Sequence, residues 1–323
     1  MTRSRRLKDN PHFIIYSEAF LDVLGPDPGY ETLPNVNAHE GPVYVRHENA
    51  LYFTTVPVTT NIPAFGDKNV AIGRLDVASG EVSTFVAEAN MANGMTLDRE
   101  GRLLICEQGS LETDARISRM NLKTKKVETV VDHWFGLPFN SPNDIVEKSD
   151  GTIWFTDPAY GSLQGFRPKP LIGDFVYRYA PADDSVTVVV DTFKKPNGLC
   201  FSPDESILYV NDSGAIEGPN TYYVDLPHHI RVFDVADNSH LVNERLFAVV
   251  TPIIPDGLKV DSQGRVYSSS GTGVQVFDAT GRILGEILAG GVANFCFGGI
   301  GNNMLFMMCD TAINIATLAA TGV

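Results

Sequence analysis

Six acidic or amide residues open similar stretches of the chain. They are Glu40 in EGPVYVRHENALYFTT, Asn93 in NGMTLDREGRLLICEQ, Asn143 in NDIVEKSDGTIWFTDP, Asn197 in NGLCFSPDESILYVND, Asp256 in DGLKVDSQGRVYSSS and, more weakly, Asn294 in NFCFGGIGNNMLFMMCD. Brought to one place, two carboxylates and four carboxamides make an oxygen-rich pocket. Such groups are costly to bury unless something satisfies them. A hard cation does so, and Ca²⁺ takes six to eight oxygens from carboxylates, amide carbonyls and water. No histidine–cysteine spacing competes, so a structural zinc site is not expected. Taken singly, each Asn-Gly or Asp-Gly pair reads as a turn at the start of a strand. Six at matching positions point instead to a shared site.

The elements that carry these residues repeat. Successive copies lie 53, 50, 54, 59 and 38 residues apart. Each reads as a β-hairpin, with turn residues such as Asp98–Gly101, Ser149–Gly151 and Asp261–Gly264 between two β-rich runs. Two further strand-like runs follow most copies, as in VAIGRLDVASGEVSTFV and FVYRYAPADDSVTVVV. Units of roughly 50 residues with four strands are the signature of propeller blades. The expected fold is therefore all-β: a six-bladed β-propeller with four antiparallel strands per blade. The last copy ends with only one further strand, AINIATL. The N-terminal run HFIIYSEAFLDVL is expected to supply the missing outer strand and close the ring. Two packed β-sandwiches fit less well, because sandwiches need no repeated hairpin period. In a propeller the innermost strands face a central channel, so the six residues would form a ring around it.

The 323 residues are then read as a single domain, 1–323, with residues 1–11 as a flexible extension. The formal charge of −14 disfavours nucleic acid and anionic membranes as partners. No run of 18 apolar residues suggests a membrane span, and the N-terminus lacks a secretory pattern, so a cytoplasmic monomer or homodimer is expected. Cys106, Cys200, Cys296 and Cys309 read as core residues, not as a disulfide framework. There is no G-x-S-x-G, H-E-x-x-H or phosphate-loop motif.

EGPVY at 40–44, NGMTLDREGRLLICEQG at 93–109, SPNDIVEKSDGTIWFTDPAYG at 141–161, KPNGLCFSPDESILYVND at 195–212 and PDGLKVDSQGRVY at 255–267 together closely resemble the gluconolactonase/regucalcin (senescence-marker-protein) family. The resemblance spans roughly residues 38–300. It implies a six-bladed propeller with one divalent cation in the channel, Ca²⁺ first and Mg²⁺, Mn²⁺ or Zn²⁺ as alternatives. It implies metal ligands at Glu40, Asn197 and Asp256, with Asn143 as a fourth ligand or a substrate contact and Asn93 beside the site. The activity the resemblance implies is that of an aldonolactone or pantolactone hydrolase. Many relatives carry His after Cys-Glu in blade two, where this chain has Gln108.

The resulting expectation is metal-dependent hydrolysis of a small lactone. The cation polarises the lactone carbonyl and lowers the pKa of a water. A carboxylate takes that water's proton, Asp256 first and Glu40 second; attack by Asp256 itself is the alternative. Asn93, Asn143, Gln108 and Tyr160 are the expected substrate contacts, although Tyr160 reads equally as structure. A phosphotriesterase in the same site and a non-catalytic Ca²⁺-binding propeller are the competing readings. Asp144 could hold a second, structural cation. Asp157 and Asp212 read as turn caps, Trp154 as core, and His228–His229 as a blade-four loop. Loops 56–69, 109–116, 161–173 and 213–228 are expected to set specificity.

Overall fold

A computed structural model of the protein describes residues 10–59, 68–218 and 220–323. Six antiparallel sheets of four strands or more follow one another along the chain, as the repeat predicts. Blade one comprises Glu40–Val45, Ala50–Thr54, Ile72–Asp76 and Val82–Val86. Blade two comprises Ala92–Leu97, Leu103–Glu107, Arg116–Met120 and Val127–Val131. Blade three comprises Ile145–Glu147, Ile153–Asp157, Phe175–Ala180 and Ser185–Val190. Blade four comprises Pro196–Phe201, Ile207–Asp212, His229–Ala236 and His240–Val249. Blade five holds Leu258–Val260, Val266–Ser270, Gly273–Phe277 and Ile283–Leu288, and blade six Phe295–Gly298, Met304–Met308 and Asp310–Thr317.

The closing strand is not the one expected. Blade six is completed by Gly29–Ala38, which pairs antiparallel with Asp310–Thr317 from Gly29↔Thr317 to Ala38↔Asp310. The apolar run HFIIYSEAFLDVL instead splits. Phe13–Ile15 adds a fifth strand outside blade five, and Phe20–Leu24 forms a short helix whose Phe20, Val23 and Leu24 pack against blades five and six. Of the expected extension 1–11, residues 1–9 lie outside the described residues. Asn10 is engaged, its side-chain oxygen accepting the His12 amide at 2.9 Å.

The apolar core lies between blades. Leu104, Cys106 and Ile117 of blade two pack on Ile145, Phe155 and Tyr177 of blade three, and equivalent clusters join the other pairs. All four cysteines are buried and free, as expected of core residues. Trp154 is fully buried, its indole N–H donating to Thr152 Oγ1 at 2.9 Å. Among the described residues, no helix is long and apolar enough to cross a membrane.

The glycine that follows four of the six ring residues has a cause other than a turn. A Cβ on Gly41, Gly94 or Gly198 would overlap the backbone oxygen of the next ring residue, Asn93, Asn143 or Asp256. At these positions the inner strands converge too closely for a side chain. Gly198→Ala is expected to push blades four and five apart and to cost about 3 kcal/mol, read as a lowered midpoint in chemical denaturation. An unchanged midpoint would refute the close approach.

Candidate active site

At the end of the channel where the inner strands begin lies a cavity of about 240 Å³. Its lining includes Glu40, Asn93, Asn143, Asn197 and Asp256. Gln108 and Tyr160 line it as well, so all seven residues expected as ligands, base or substrate contacts meet in one place. Asn294 does not join the lining. It is 2% exposed, and its Nδ2 donates to Glu40 Oε2 at 2.8 Å. Its Oδ1 turns back to the Phe295 amide at 2.8 Å. The sixth ring position thus supports Glu40 from behind and does not face the cavity.

The backbones of Asn93 and Asp256 are held by small polar side chains at the ends of second strands, and that of Asn143 by a second-strand carbonyl. Thr54 Oγ1 donates to the Asn93 carbonyl at 3.1 Å. Asn211 Nδ2 donates to the Asp256 carbonyl at 2.8 Å, and Ser269 Oγ accepts the Asp256 amide at 2.9 Å. Asn143 donates its amide to the Thr156 carbonyl at 2.8 Å. These contacts explain the polar cluster that ends each second strand in FTT, FTDP, VND and SSS. They leave the ring side chains free to point at the channel.

The loops above the ring are held in the same manner. Asp157 accepts the amides of Asn140 and Ser141 at 2.9 and 2.7 Å, and Asp212 accepts those of Lys194 and Lys195 at 3.0 and 2.9 Å. Both therefore cap turns, as expected. Burial pushes the Asp157 carboxyl up to about 7 despite those amides. Arg167 is buried and pairs with no carboxylate among the described residues. Its guanidinium donates to the carbonyls of Ser110, Thr113, Phe139 and Asn140, fastening three loops to one another. Of the expected specificity loop 56–69, residues 60–67 lie outside the described residues.

The electrostatics of the ring are those of a site short of positive charge. Burial raises the Glu40 carboxyl, as does nearby Asp144, while His39 and the Asn294 amide pull it down. Burial and the Glu40 charge push Asp256 well above the usual carboxylate range. The amide oxygens Oδ1 of Asn93 and Asn143 are buried and accept no hydrogen bond from the described residues. Oxygen donors of this kind, two anionic and the rest neutral carbonyls, match the preferences of a hard divalent cation. Asp144 occupies the position that is glycine in blades one, two, four and five. Its buried Oδ2 lies 3.7 Å from Lys259 Nζ. A tethered ammonium thus stands where the sequence suggested a second cation.

His39 was the residue whose role sequence reasoning missed. Its ring lines the cavity, and Nδ1 shares a 2.7 Å hydrogen bond with Asp310 Oδ1. Burial by itself would lower its pKa, but Asp310, Glu40 and Asp256 raise it to about 9. The only sequence signal was its place beside Glu40, because its partner arrives with blade six. His228 and His229 stay outside the cavity lining. His228 Nδ1 bonds the Val250 carbonyl at 2.7 Å, and His229 opens a strand and does not sit in a loop.

Comparison with known proteins agrees with this geometry. A family model described as the SMP-30/Gluconolactonase/LRE-like region matches residues 38–311. The gluconolactonase of Zymomonas mobilis is 28% identical over 318 residues, covering 93% of this chain and 83% of its own. The lactonohydrolase oryL of Aspergillus oryzae is 30% identical over 315 residues, covering 90% and 70%. Among solved structures, a gluconolactonase from Xanthomonas campestris superposes with a TM-score of 0.79 at 30% identity, covering 96% of both chains. With the matching region spanning all six blades and every ring residue, this chain belongs to the SMP-30/gluconolactonase/LRE-like family.

Proposed function

We propose that the protein is a cation-dependent hydrolase of small lactones. The observation that carries this reading is the meeting of Glu40, Asn143, Asn197 and Asp256 in one cavity, with buried amide oxygens left without donors. The lactone-hydrolase names of its relatives supply the reaction class. Glu40, Asn143, Asn197 and Asp256 would hold the cation, with Ca²⁺ the best match to an all-oxygen set. When bound, the cation supplies Lewis-acid polarisation of the carbonyl and a more acidic water.

The chain's own groups do the rest. Asp256 accepts the proton of the attacking water on a carboxylate oxygen. As the ring C–O bond breaks, the same carboxyl returns that proton to the leaving alkoxide, giving the hydroxy acid. Asn143 and Asn197 are neutral, so they orient but cannot act as bases. Asn93, Gln108 and the buried Tyr160 line the cavity around the substrate, the Tyr160 hydroxyl lying beside Asn197 and Ser213. Glu40 is held by the Gly41 amide and Asn294 and contributes fixed negative charge.

Parallel assays with gluconolactone, pantolactone, alkyl lactones and a phosphate triester test the reading. Lactones are expected to turn over at least about 100-fold faster than the triester, a margin of ~2.7 kcal/mol in barrier. Preference for the triester would move the activity to phosphoryl transfer, and no turnover of either class would leave a binding propeller.

A further inference from the structure

The channel holds a third buried carboxylate that the reaction does not use. Asp144 is 2% exposed and stands in the wall between two cavities. Asn143, before it, lines the cavity of the oxygen ring. Ile145, after it, lines a second cavity of about 390 Å³ where the inner strands end. Space is reserved for the carboxylate: a Cβ on Gly94, in blade two, would come within 2.7 Å of its Oδ1. Oδ1 accepts the Ile145 amide at 2.9 Å, and the buried Oδ2 accepts no hydrogen bond from the described residues. A carboxylate in such a place is costly unless a positive charge faces it. Lys259 supplies that charge, reaching from the inner strand of blade five past blade four. Its Nζ lies 3.7 Å from Asp144 Oδ2 and donates to the Leu258 carbonyl at 3.0 Å. Lys259 is the one basic residue in the described lining of the second cavity. The Asp144 charge is felt at the ring, where it raises the carboxyls of both Glu40 and Asp256.

We propose that Lys259 is a built-in counter-ion that limits the channel to a single divalent cation. This rests on the cation reading above. Glu40, Asp144 and Asp256 together bring three negative charges. One divalent cation among the ring oxygens and the Lys259 ammonium offset them. A second divalent ion beside Asp144 would have to displace the ammonium or share its space, and cations so close repel. The ammonium also has the advantage of its tether. It is not drawn from solution, so it gives up no translational freedom to reach Asp144. Asp144 thereby stays paired even when the ring holds no ion. Lys259 acts through Asp144 and is a positioning residue.

The test is calorimetric titration of the metal-stripped full chain with Ca²⁺. Wild type is expected to bind one ion. Lys259→Met keeps an unbranched side chain and removes the charge. It should bind two ions, the second taking the place of the ammonium beside Asp144. Its thermal midpoint should lie below that of wild type without Ca²⁺ and recover when the ion is added. Lys259→Arg should return the count to one. Asp144→Asn combined with Lys259→Met leaves no charge unpaired, so it should fold and also bind one. A single ion bound by Lys259→Met, or two bound by wild type or by either control, would overturn the proposal. A Lys259→Met chain that stays unfolded at millimolar Ca²⁺ would do the same, since no ion then replaces the ammonium. Absence of binding in wild type would overturn the cation reading itself instead.

Discussion

Asp256→Asn is expected to lower kcat on a lactone by about 10³-fold while leaving the cation bound. The substitution keeps the size of the side chain and one carbonyl oxygen, so the ligand set survives with one charge fewer. The backbone of residue 256 stays in place because its contacts to Asn211, Ser269 and Gly198 do not involve the carboxyl. What disappears is the proton acceptor, a loss in the range of general-base removal. Calorimetric cation titration beside steady-state kinetics separates the two roles. Lost turnover with binding within about tenfold supports the base assignment; turnover near wild type ends it. Glu40→Gln should fail differently. Its new amide would face the Asn294 Nδ2 donor that now binds Glu40 Oε2 at 2.8 Å. Cation affinity is expected to fall by about 100-fold, equivalent to ~2.7 kcal/mol, with excess cation restoring part of the rate.

Chelation is expected to have the second large effect. Stripping divalent ions should abolish hydrolysis, and adding Ca²⁺ back should restore it. The reason is visible in the ring: buried Glu40 and half-buried Asp256 line one cavity, and burial and the Glu40 charge push the Asp256 carboxyl well above its usual range. A ligand that binds only the folded form stabilises it by about 2.7 kcal/mol at a concentration 100 times its Kd. For a chain of this size that corresponds to roughly 4 °C or more in the thermal midpoint. Scanning calorimetry with and without chelator reads the shift. Full activity and an unmoved midpoint after chelation would remove the cation from the proposal altogether.

Much of the architecture was legible because the blade is a repeat, and a repeat amplifies weak local signals. No single Asn-Gly or Asp-Gly distinguishes an axial residue from a turn. Recurrence did so, and the physical cause proved to be the crowding of inner strands against the next blade, seen at Gly94 and Gly198. The pattern also overreached. Asn294 shares the period of the ring, but it is followed by Phe295, not glycine, and it turns toward Glu40 and its own backbone. The pair His39–Asp310 was invisible because its members come from opposite ends of the chain. The closing strand was misassigned for a related reason. HFIIY has the branched and aromatic residues of a strand, whereas GYETLPNVNA carries a proline and two asparagines and is mostly exposed. An outermost strand packs on one side only, so its sequence is under little pressure to look like one.

The join between Gly29–Ala38 and Asp310–Thr317 also orders events on the ribosome. The first of these strands emerges roughly 280 residues before its partner. At about 5–20 residues per second, the nascent chain carries it unpaired for some 15–60 s. An ordinary, strongly amphipathic strand left open that long would be a template for pairing with neighbouring chains. Pro34, Glu31 and the asparagines make this one a poor template until Asp310–Thr317 arrives. The features that concealed the strand in the sequence are those that guard it during synthesis.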